Sequence, residues 1–147
     1  MRREISILCV GVICYVLGGP SVWAKESLQD LTTQAMDECQ KGRRAKDADS
    51  RSAHFDRGRT LAEKAVALDD QSPDAHFALF CSIGERMRAD GEVVFSVLEY
   101  GRMMDALDQT LALNPNHLDA LSSKGTILIE VPGLLGGDDE KGEVMLR

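Results

Sequence analysis

Two stretches of the chain carry the same punctuation. AVALDDQSPDA, residues 65–75, lies over TLALNPNHLDA, residues 110–120. Ala67-Leu68 meets Ala112-Leu113 and Asp74-Ala75 meets Asp119-Ala120, each displaced by 45 positions (67 to 112). A small residue, Ala65 or Thr110, precedes each turn. Each stretch reads as a helix end, a tight turn and a new helix, and in the second copy Pro115 bars continuation. Such a recurrence is the mark of helix–turn–helix units, none of which buries its apolar face alone. The chain is therefore expected to be all-α, with helix pairs forming a short right-handed stack. An unrelated helical bundle shares the same periodicity and is the competing reading.

Apolar spacing extends this along the chain. In SLQDLTTQAMDECQKGRR, Leu28, Leu31, Ala35 and Cys39 recur at steps of three and four, the period of one helix face, and Gly42 weakens the end. Gly58, Leu61, Ala62, Ala65 and Val66 form the stripe of a second helix. DAHFALFCSIGERM is apolar on most sides, which predicts a helix buried all round. ADG at 89–91 reads as a break, and the extra length between copies is placed around Arg86 to Val97. Val97, Tyr100, Met104, Leu107 and Leu111 mark a fourth helix, and HLDALSSKGTILIEV a fifth. DEKGEVMLR starts a sixth.

The first 24 residues belong to something else. MRRE is basic, Ile5–Leu17 carries no charge, and GGPSVWA ends in the small-residue pattern Val22-x-Ala24. This is the layout of a secretory signal peptide, with an uncleaved anchor as the alternative. Residues 25–147 then form the helical-repeat domain, its last repeat incomplete, and no later segment is apolar enough to span a bilayer. The expected location is periplasmic or secreted. The chain carries a net charge of −7, and loss of Arg2, Arg3 and Glu4 makes it more acidic by one. Nucleic-acid binding, which needs a basic face, is disfavoured. Export permits a disulfide between Cys39 and Cys81; two buried small apolar residues is the other reading.

AVALDD…DAHFALFCSIGERM, DALDQTLALNPNHLDALSSKG and EVPGLLGGDDEKGE together resemble a group of exported bacterial tetratricopeptide-like proteins. Members show an AVALDP helix end, a histidine-aromatic helix with a glycine, an ALxLxPxxxxAL junction and a PGxxGGxxxKA loop. The resemblance covers roughly residues 60 to 145. Two positions depart from it: Asp70 stands for proline and Gly142 for alanine, and both are expected to loosen local packing. The chain is more distantly similar to the periplasmic tetratricopeptide component of tripartite solute transporters, which implies a solute-binding protein as partner.

Chemistry-bearing patterns are sparse. VPGLLGGDD, 131–139, suggests a phosphate loop, but lysine and hydroxyl are misplaced for GxxxxGK[ST]. Its carboxylates crowd the helix start where an anion would sit. The better account is a bend, with Pro132 stopping one helix and Asp138 capping the next. His54, His76 and His117 form no metal or base motif, and His117 is expected to be exposed. Ser122 and Ser123 lack a base. No catalytic residue, cofactor or metal is assigned. His76, Arg86, Tyr100 and Arg102 are the candidate partner-binding groove residues, because tyrosine and arginine dominate interface energetics; core or solvated-face roles compete with this. The expected function is protein–protein recognition as a scaffold, with a transport accessory or solute-binding component as the alternative. With two repeats and a stub, either a truncated sequence or self-association through the exposed end is expected.

Overall fold

A computed structural model of the chain describes residues 26–90 and 97–147. The signal segment assigned to 1–24 lies outside the described residues, as do 91–96. Six α-helices run α1 (Leu28–Arg44), α2 (Ala48–Leu68), α3 (Pro73–Asp90), α4 (Val97–Leu113), α5 (Leu118–Glu130) and α6 (Asp139–Met145). A 3₁₀ turn at Gly133–Leu135 precedes α6, and no strand occurs among the described residues. Of the ADG expected to break the chain, Ala89 and Asp90 still belong to α3, and Gly91 lies outside the described residues. Part of the extra length is simply added helix: α3 has 18 residues and α5 has 13.

Consecutive helices pair, giving three hairpins, α1–α2, α3–α4 and α5–α6. Their first helices begin at Leu28, Pro73 and Leu118, two equal steps of 45 (28, 73, 118). The recurrence has a local cause. Ser27 Oγ, Ser72 Oγ and His117 Nδ1 each accept the backbone N–H three residues on, from Asp30, Ala75 and Ala120, at 3.1, 3.2 and 3.2 Å. A side-chain acceptor at this position satisfies an otherwise orphaned N–H and is worth about 1 kcal/mol.

α3 lies at the centre, against α1, α2 and α4, which is why it is apolar on most sides. Phe77, Phe80, Cys81 and Ile83 pack with Met103, Ala106 and Leu107 of α4 and Ala120 of α5. Alanines set the approach of the first three helices: Ala35, Ala62 and Ala78 form one fully buried cluster, and Ala65 and Ala75 meet around Leu31 in another. Burying a side chain such as Leu107 contributes roughly 1.5–3 kcal/mol.

Two glycines expected to weaken structure instead mark close crossings. Gly42 is buried, and a Cβ there would run into the Phe55 ring. A Cβ on Gly142 would stand 2.7 Å from both the Gly125 carbonyl oxygen and Ile129 Cγ1. So Gly142 tightens the α5–α6 contact, opposite to the loosening expected of it. Asp70 does not leave its turn slack either, because His76 Nε2 donates to the Asp70 carbonyl at 2.9 Å.

VPGLLGGDD is a joint. Gly136 takes φ 98°, a left-handed conformation suited to glycine. Gly137 lies so close to the Val131 carbonyl that a Cβ has no room. The Asp138 N–H donates to Leu128 O at 2.8 Å, and its carboxylate accepts from Lys141 N at 3.0 Å, capping α6. Asp139 and Glu140 follow in the first turn, where the helix dipole favours negative charge.

Candidate functional site

The first helices of the three hairpins line a continuous groove. Two open cavities of about 560 and 740 Å³ share Met36, Phe77 and Asp119 and so merge. α1 supplies Thr32, Met36 and Gln40, residues four apart on one helix face. α3 supplies Phe77, Phe80 and Gly84, and α5 supplies Asp119, Ser122, Ser123 and Thr126. Phe77 and Phe80 stack with centroids 5.7 Å apart; both are buried in the core and form the floor of the groove with only their edges uncovered. The groove therefore has an apolar centre with hydroxyls and carboxylates from the helices on either side.

None of the four residues favoured on sequence lines this groove. His76 closes the turn before α3 through its bond to Asp70. Arg86 is turned toward α2, with Nε 2.9 Å from Asp56 Oδ1 and an N–H donated to Ser52 Oγ at 3.1 Å. Tyr100 packs, half-buried, against the main core cluster. Arg102 bridges Glu63 of α2 and Glu99 of its own helix, both at 3.3 Å. The structure brings Arg102 together with Arg59, which also pairs with Glu63 and Glu99, at 2.9 and 2.8 Å. These four charges form a closed network joining α2 to α4, away from the groove.

His117 departs most from expectation. Its side chain is only 11% exposed. The ring lies 4.7 Å from that of Phe77. Since Nδ1 accepts from Ala120, the neutral ring carries its proton on Nε2, which points at Asp74 Oδ1, 3.3 Å away. His117 thus holds α5 against α3 at one end of the groove.

Cys39 and Cys81 are unbonded and buried here, the arrangement of the second of the two readings that the sequence left open. Cys39 Sγ lies 3.2 Å from Ser82 Oγ. Burial, then the neighbouring Cys39, pushes the Cys81 thiol up to about 12, and burial raises Cys39 as well. Both stay protonated near neutrality and serve as packing atoms, since it is the thiolate that reacts.

Glu38 is a further centre that sequence reasoning passed over. Lys41 Nζ, His54 Nδ1 and Arg57 Nε converge on its carboxylate at 2.7, 2.8 and 2.9 Å. Burial pushes its pKa up, but these hydrogen bonds outweigh it and hold the group at about 2. It ties α1 to α2. Among the described residues no group of three His, Cys, Asp or Glu side chains is placed to hold a metal ion, and no helix is long and apolar enough to cross a membrane.

No family model, no curated protein and no solved structure matches the chain.

Proposed function

We propose that this chain is an exported, tetratricopeptide-like scaffold that acts by recognition rather than catalysis, taking a segment of a partner protein into the groove along α1, α3 and α5. The observation that carries the reading is the groove itself. It is continuous across all three hairpins, open along its length, and sets hydroxyls and carboxylates around an apolar floor. Stacked helix pairs generally present their recognition surface on such a face. A solute carrier would hold its ligand in an enclosed, mostly apolar pocket, which fits these open cavities less well.

The test is crosslinking followed by affinity purification from the compartment where the protein resides, comparing the native chain with Ser122→Trp. Ser122 is exposed in the groove, so the indole obstructs the channel without entering the core. One stoichiometric partner recovered with the native chain and lost with the variant is expected. Equal recovery with both would contradict the reading.

A further inference from the structure

We infer that the groove selects a basic, amphipathic peptide segment of its partner. This rests on the groove being the binding face and adds the chemistry of what it accepts. Five carboxylates line it, Asp37, Asp74, Glu85, Asp119 and Glu130, against two guanidiniums, Arg43 and Arg88. Both guanidiniums are already engaged by Glu85, at 2.8 and 3.6 Å. Asp74 is held by His117. Asp37, Asp119 and Glu130 have no ion-pair partner among the described residues, and all three are exposed.

Their placement matters more than their number. Asp37 stands on α1 and Asp119 on α5, and Phe77 of α3 lines the same cavity as both. An apolar ligand side chain seated on the partly exposed Met36, over the buried Phe77 beneath it, would leave lysine or arginine side chains within reach of a carboxylate from either side. The edge of the groove along α1 runs from Leu28 to Arg43, which at a rise of 1.5 Å per residue is about 22 Å. That length accommodates a helix of about 15 residues or about seven extended residues. An acidic or uncharged segment of equal hydrophobicity would gain the same apolar contact without the charge pairing.

The test uses the full chain and three labelled amphipathic peptides of about 15 residues, identical in leucine and alanine and differing only in carrying lysine, glutamine or glutamate. Binding is read by fluorescence anisotropy at about 50 mM and about 500 mM salt, where screening lengths differ severalfold. The lysine peptide should bind about tenfold more tightly than the glutamate peptide at low salt, the scale expected of a few exposed pairs. High salt should remove most of that margin. Asp37→Asn with Asp119→Asn should weaken the lysine peptide several-fold and leave the glutamine peptide unchanged. Equal binding of all three peptides, lost in Ser122→Trp, would overturn the basic preference while leaving the groove as the binding face. Peptide binding insensitive to Ser122→Trp, or no binding at all, would overturn both.

Discussion

The face joining α2 to α4 and the groove along α1, α3 and α5 use charge in opposite ways. On the first, Glu63 and Glu99 are shared between Arg59 and Arg102 within 3.3 Å. In the groove, Asp37, Asp119 and Glu130 stand beside apolar side chains with no such partner among the described residues. Charges consumed within the fold help register neighbouring helices; charges left over in an apolar channel remain available to something else. Both faces rest on the same core, so substitutions sort by which of the three they touch.

The largest effect should come from the shared core. Leu107 is fully buried, and Leu107→Ala should cost about 2–5 kcal/mol in denaturant unfolding, the usual range for a cavity of that size. A loss under about 1 kcal/mol would mean that α4 is not packed as described. Next is the α5–α6 crossing. Gly142→Val inserts atoms where the Gly125 carbonyl already sits and should cost about 1–3 kcal/mol. Faster amide exchange should be confined to α5 and α6, because these two helices pack closely on each other and only sparsely on the rest of the fold, mainly on α4. Uniform loss of protection would deny that independence.

Third is an acid effect on the α1–α2 joint. Glu38 titrates near 4.5 when unperturbed and is held at about 2 in the fold. The unfolded chain therefore binds the proton first. The contribution is complete above pH 4.5 and is lost as pH falls toward 2. Glu38→Gln should flatten that part of the stability profile, and parallel profiles would remove Glu38 from the joint. The smallest effects separate the two faces. Arg102→Ala should change stability by no more than about 1 kcal/mol, less at high salt, and leave partner binding intact. Asp37→Asn should leave stability within about 0.5 kcal/mol yet reduce binding.

The helices were legible in the sequence because apolar steps of three and four report directly on which face is buried. The junctions at 65–75 and 110–120 were legible because residue identity itself repeats there. The first hairpin was not read as a third copy. Ser27 and Ser72 are the same cap at the same spacing, but the letters around Ser27 do not repeat those around Ser72, and the third cap is His117, so one shared serine is all that links the copies there. The groove was missed for a different reason. Tyr100, Arg86 and Arg102 were chosen by chemical type, whereas the face each occupies depends on which helices pair. His117 looked exposed beside Asn116, and only the stacking of α5 on α3 covers it with Phe77. Gly142 looked loose because a helix crossing distance is not encoded by one residue; it depends on Gly125, seventeen positions earlier (142 against 125). The stripe Thr32, Met36, Gln40 was the available signal, a second face of α1 beside the buried one.

The most direct test places the photocrosslinker benzoylphenylalanine at single exposed positions and compares them in cells. Thr33 and Ser122 lie in the groove; Lys64 and Asp105 are exposed on α2 and α4. Recognition through the groove predicts one discrete adduct from Thr33 and Ser122 and none from Lys64 or Asp105. An adduct from Lys64 or Asp105 with none from Thr33 or Ser122 would move the binding face to the other side of the molecule.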